Sequence, residues 1–97
     1  MTDTNNDADL APHEHVVATE LDGGEGVLVD LNTKRYYQLN ETAMFVWKRL
    51  EKRLPLARIV EEMTAVYDVS PEHADESLRL LLQSLQARKL VESTGER

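Results

Sequence analysis

Along the chain, the spacing of apolar and polar positions changes once, near residue 40. Residues 15–21, HVVATEL, are apolar and β-branched; Asp22, Gly23 and Gly24 then tolerate positive φ, and GVLVDL follows. This order predicts a β-hairpin. A second turn at residues 32–34 leads into RYYQL. The chain should therefore form three short strands in an antiparallel meander, because the connections are too short for parallel pairing.

Beyond Leu39 the apolar residues recur at helical spacing. Asn40 can cap a first helix that turns Ala43, Val46, Trp47 and Leu50 inward. Pro55 suits the first turn of a second helix, with Leu56, Ile59, Val60, Met63 and Tyr67 as its buried stripe and Asp68 and Val69 as its exit. Ser70 followed by Pro71 marks a third start, where Glu72, Asp75 and Glu76 complement the positive end of the helix dipole. Its broad stripe is Ala74, Leu78, Leu81, Leu82 and Leu85; Leu80 and Leu90 fall outside the pattern, and the helix runs to about Arg88. Three strands followed by three helices define an α+β arrangement, with one sheet face on the helices and the other toward solvent. The third strand, around Tyr36, keeps a free hydrogen-bonding edge unless another element covers it.

Composition narrows the picture. A chain of 97 residues, 41% hydrophobic, fits one compact domain with a small core. Residues 1–12, rich in Asp and Asn, are predicted to be a loose tail, 13–92 the domain, and 93–97 a second tail. The absence of cysteine excludes disulfides, thiolate zinc sites and thiol nucleophiles. No secretion signal or membrane-spanning run is visible, so a soluble, cytoplasmic protein is expected. Eighteen acidic against eleven basic side chains give a net charge of -7, which disfavours a phosphate backbone as partner.

Few constellations could carry chemistry. His13, Glu14 and His15 lack a third ligand at defined spacing, so no metal site is expected. Glu61 and Glu62 are neighbours on a helix and diverge, which removes them as an acid and base pair. Neither a nucleophile elbow nor a phosphate-cradling glycine loop is present, so neither catalysis nor a cofactor is expected. There remains the open edge at RYYQL with Lys34 and Arg35, where an extended peptide could add as a strand. The alternation also fits a strand that merely turns Tyr37 and Leu39 into the core. Two rivals stay open. A winged helix could read DNA with its third helix, although Glu72, Asp75 and Glu76 oppose that, and the free edge could serve dimerisation instead.

The strings VLVDLNTKRYYQLNETAMFVWKRL and IVEEMTAVYDVSPEHADESLRLLLQSLQARKLVE resemble the PqqD-like family, the peptide-binding RiPP recognition elements. The most specific part is LNETA at 39–43, preceded by an aromatic-rich strand and followed by Trp47. The resemblance implies a winged-helix-like domain, a three-stranded antiparallel sheet followed by three helices. It further implies a non-catalytic adaptor that binds the leader of a ribosomally made precursor and presents it to a maturation enzyme of the radical SAM, leader protease or cyclodehydratase type. The leader is expected to pair with the third strand, Arg35, Tyr36, Tyr37, Gln38 and Leu39, next to Lys34, in a cleft walled by the third helix. On that helix, Leu78 and Leu82 are expected as apolar walls, with Asp75 and Arg79 as polar neighbours. Three positions depart from the family pattern: Lys34 and Lys89 stand where glycine is common, and Ser77 where aspartate is common.

Overall fold

The computed structural model describes residues 10–93. In chain order the elements are β1 (Leu10–Pro12), β2 (Val16–Glu20), β3 (Gly26–Asp30), β4 (Arg35–Leu39), α1 (Glu41–Glu51), α2 (Leu56–Tyr67), α3 (Pro71–Ala87) and β5 (Val91–Ser93). Strands β2, β3 and β4 are the predicted meander, antiparallel and in that spatial order, and the three helices follow as predicted. The fold is α+β and winged-helix-like.

Each turn of the meander is dictated locally. Between β2 and β3, Gly23 and Gly24 take φ of 81° and 86°, and the Leu21 N–H closes the turn on the Glu25 carbonyl at 2.7 Å. Between β3 and β4, the Asp30 carboxylate accepts the N–H groups of Asn32 (2.9 Å) and Thr33 (3.2 Å), while the Lys34 N–H donates to the Asp30 carbonyl at 2.7 Å. Lys34 itself is left-handed, with φ 66°. Gly26 answers to packing rather than to a turn. A Cβ there would run into the Met44 thioether on α1 and stand 3.1 Å from the Thr19 carbonyl oxygen, so a larger residue requires the methionine side chain to move.

The helices start and stop on recognisable signals. Asn40 Oδ1 accepts the Ala43 N–H at 2.8 Å and caps α1; Ser70 Oγ accepts the His73 N–H at 3.1 Å and caps α3, with Pro71 in its first turn. Pro55 stands one place earlier than predicted, at the cap of α2 rather than inside its first turn. The end of α3 is a Schellman motif: Leu90 N–H reaches the Leu85 carbonyl (2.9 Å) and Lys89 N–H that of Gln86 (3.0 Å), with Lys89 left-handed at φ 58°. Such a motif calls for an apolar residue just past the left-handed position. This is why Leu90, outside the helical stripe, is fully buried.

The core gathers Leu28 from the sheet, Val46, Trp47 and Leu50 from α1, Ile59 from α2, Leu78 from α3, and Leu90, all but inaccessible to solvent. Trp47 keeps its indole N–H satisfied by Glu51 at 3.0 Å.

Two corrections concern the chain ends. Leu10–Pro12, within the predicted tail, form β1 and pair antiparallel with β5, Val91–Ser93, in a separate two-stranded sheet. Leu10, Ala11 and Val91 are buried there, so apolar burial offsets the ordering entropy that the polar composition of the tail left unopposed. Ser93 likewise belongs to a strand rather than to the second tail. The remaining tail positions, 1–9 and 94–97, lie outside the described residues.

Candidate functional site

The open edge of β4 can be specified atom by atom. In the β2–β3 ladder, Leu31 N–H donates to the His15 carbonyl (2.8 Å) and Leu21 N–H to that of Glu25 (2.7 Å), in register with the strand pairing. Odd-numbered residues of β3 therefore turn their main-chain groups toward β2, and Gly26, Leu28 and Asp30 turn theirs toward β4. Their partners across that ladder are Leu39, Tyr37 and Arg35. Tyr36 and Gln38 are left with N–H and C=O pointing off the sheet, and among the described residues no hydrogen bond from another element reaches them.

Beside this edge runs a groove of about 390 Å³ between β4 and α3. Tyr37 and Leu39 form its sheet wall, and Leu81, Ser84, Leu85 and Arg88 its helical wall. Side-chain alternation explains the division on the strand: Tyr37 and Leu39 turn toward the helices, whereas Tyr36, 73% exposed, lies on the outer sheet face. The Arg88 guanidinium donates to the Ser84 carbonyl at 3.3 Å and to its hydroxyl, and it stands 5.9 Å from the Tyr37 ring centroid.

The structure separates the two halves of the predicted site. Arg35, Tyr36, Tyr37, Gln38 and Leu39 make up the edge strand, with Lys34 in the hairpin before it. Asp75, Leu78, Arg79 and Leu82 do not face that strand. They line another groove, of about 430 Å³, with Leu10, Leu56 and Val60 between α2, α3 and β1. Leu78 and Leu82 are core residues, and Arg79 is ion-paired with Asp75 at 2.8 Å.

The correction is one of helical azimuth. At about 100° per residue, 81, 84, 85 and 88 share one flank and 75, 78, 79 and 82 another. The sequence carried a usable signal: a stripe as broad as Ala74, Leu78, Leu81, Leu82 and Leu85 serves more than one neighbour.

At the hairpin end the cleft opens into a third hollow of about 590 Å³, which shares Tyr37 and Arg88 with it and adds His13, His15, Asp30, Arg35 and Lys89. His13 and His15 stack with centroids 4.8 Å apart; His15 lies 3.7 Å from Asp30, and His13 3.4 Å from Glu92. Burial pushes the Asp30 carboxyl up. Hydrogen bonds from the Thr33 and Asn32 N–H groups, the nearby His15 and the Thr33 hydroxyl outweigh it and hold the carboxyl below its usual range. Among the described residues no three His, Cys, Asp or Glu side chains converge as a metal site, and no helix is long and apolar enough to cross a membrane.

A winged-helix-like domain with an unpaired strand edge beside an apolar helix flank can take up an extended chain as a further strand. The family model of coenzyme PQQ synthesis protein D (PqqD) matches residues 25–91, and the chain belongs to this family. Two solved structures are similar along nearly their whole length. One is TbiB1 in complex with the TbiA(beta) leader peptide, 28% identical, with TM-score 0.81, covering 89% of this chain and 99% of its own. The other is lasso peptide synthetase B1 complexed with the leader peptide, 26% identical, with TM-score 0.79, covering 88% and 99%. No curated protein matches significantly.

Proposed function

We propose that this protein is a leader-peptide adaptor: it captures the leader of a ribosomally made precursor as an added strand on β4 and presents it to a maturation enzyme, without catalysis of its own. The observation that carries this reading is the pair of outward main-chain N–H and C=O groups at Tyr36 and Gln38, set beside the groove under Leu81 and Leu85. Backbone pairing supplies affinity for any extended chain, and the groove selects among side chains. The two similar structures, each holding a leader peptide, support the assignment. A precursor fresh from the ribosome places the encounter in the cytoplasm. The partner class is a radical SAM enzyme, a leader protease or a cyclodehydratase.

The test is amide hydrogen exchange with and without a synthetic precursor leader peptide. Tyr36 and Gln38 amides should exchange fast in the free protein and become protected in the complex. Tyr37 and Leu39, already in the β3–β4 ladder, should change little. Protection that appears with protein concentration alone, with no leader added, would mean that the edge pairs with a second copy of the chain.

A further inference from the structure

The cleft is electrostatically lopsided. Among the described residues, Lys48, Arg49, Arg58 and Arg79 stand in ion pairs with Glu20, Glu62 and Asp75. Lys34, Arg35, Arg88 and Lys89 have no carboxylate within ion-pair distance among the described residues; Arg35, Arg88 and Lys89 line the hollow where the cleft meets the hairpin, and Lys34 precedes Arg35 in the chain. The two other cations without an ion pair among the described residues, Lys52 and Arg53, lie in the α1–α2 turn. In a chain of net charge -7, this leaves a cluster of three cations, Arg35, Arg88 and Lys89, at one end of the proposed binding groove.

The one carboxylate lining that hollow, Asp30, offsets at most one of the three cationic charges of Arg35, Arg88 and Lys89. Asp30 is 3% exposed, and its oxygens are engaged by the Asn32 and Thr33 N–H groups and by His15. Glu92 lies against His13, not against the cations. Helix-end electrostatics account for Arg88 and Lys89, which follow the last turn of α3, but not for Arg35 on the strand opposite.

We infer that this hollow is an acidic-residue subsite of the leader cleft: an Asp or Glu side chain of the bound peptide sits between Arg35 and Arg88, with Lys89 and Lys34 adding long-range attraction. The inference rests on the leader-capture reading and adds a specificity element to it. The main-chain edge at Tyr36 and Gln38 holds any strand, the flank of Leu81 and Leu85 selects apolar side chains, and the hollow sets register by taking a carboxylate at the hairpin end. An open, solvent-lined pair of this kind contributes modestly, about twofold to fivefold in affinity for each contact, and reversing a charge costs more than deleting it.

The experiment is selection of a random peptide library, displayed with both peptide ends fused so that no chain terminus is free. The full-length protein is the bait and Tyr36→Pro the counter-bait, so that only edge-dependent binders survive. Enriched peptides are expected to carry Asp or Glu at a fixed distance from their apolar residues. The double variant Arg35→Glu/Arg88→Glu should enrich Lys or Arg at the same place and bind the original acidic peptides at least tenfold more weakly. Should that variant misfold, Arg35→Gln/Arg88→Gln replaces it and should abolish the acidic preference without introducing a basic one. Edge-dependent peptides with no acidic preference, bound equally by parent and variant, would overturn the subsite and leave strand capture standing. A selection that yields no edge-dependent binder at all would overturn both.

Discussion

Replacing Tyr36 by proline separates the two jobs of β4. The Tyr36 N–H points off the sheet, whereas that of Tyr37 points into the β3 ladder opposite Leu28. Proline at 36 deletes one of the two outward donors, and its ring stands where an added strand would lie, about 4.8 Å away. A net main-chain hydrogen bond is worth roughly 0.5–1.5 kcal/mol, and lifting the incoming chain weakens the adjacent bonds at Gln38 as well. The expected loss is about 1.5–3 kcal/mol, or roughly tenfold to a hundredfold in Kd. Folding should suffer little, since proline is tolerated on the open side of an edge strand. Tyr37→Pro is the contrasting variant, and it should lose about 3 kcal/mol of stability or more, because it breaks a ladder bond and removes a ring from the cleft wall. Tyr36→Ala keeps the N–H and removes a side chain that is 73% exposed, so it should change affinity by less than about threefold. Calorimetric titration with the leader, paired with thermal melts, reads all three. A folded Tyr36→Pro that binds like the parent would refute strand addition at β4. Equal losses from Tyr36→Ala and Tyr36→Pro would shift the interaction from the main chain to the ring.

Other substitutions probe the remaining links. Leu81→Asp puts a charge on the half-buried helical wall and should weaken leader binding about tenfold or more, whereas Asp75→Ala and Arg79→Ala, in the separate groove, should leave the titration unchanged. Lys89→Gly relieves a left-handed residue at φ 58° and should stabilise the fold by about 0.5–1 kcal/mol, a rise of roughly 2–8 °C in Tm; an unchanged or lower Tm would contradict the Schellman analysis. Asp30 carries a pKa lowered from 3.8, so the unfolded chain binds its proton more tightly than the folded one. Its contribution is present above that value and is lost as the pH falls through the lower folded pKa. Asp30→Asn should therefore flatten the decline of Tm below about pH 4, and an identical acid profile would show that the hairpin carboxylate plays no part in acid unfolding.

The strand half of the cleft was legible in the amino-acid order, and the helix half was not. Asp22, Gly23 and Gly24, the caps Asn40 and Ser70, and the change from alternating to helical spacing at Leu39 act over a few residues, so they locate β2, β3, β4 and the three helices almost to the residue. The open edge at Tyr36 followed from strand order alone. Tertiary structure decided two things. Strands β1 and β5 are three residues each, too short to show a period, and they exist only because residues 10–12 and 91–93 meet, where Leu10, Ala11 and Val91 can be buried together. The azimuth of α3 was the other. Periodicity identifies a stripe, but which neighbour each flank of the stripe meets depends on how α3 is rotated against β4 and α2. That rotation is set by packing volume around Leu78, Leu82 and Leu85, so Leu81 and Arg88, not Leu78 and Arg79, face the strand.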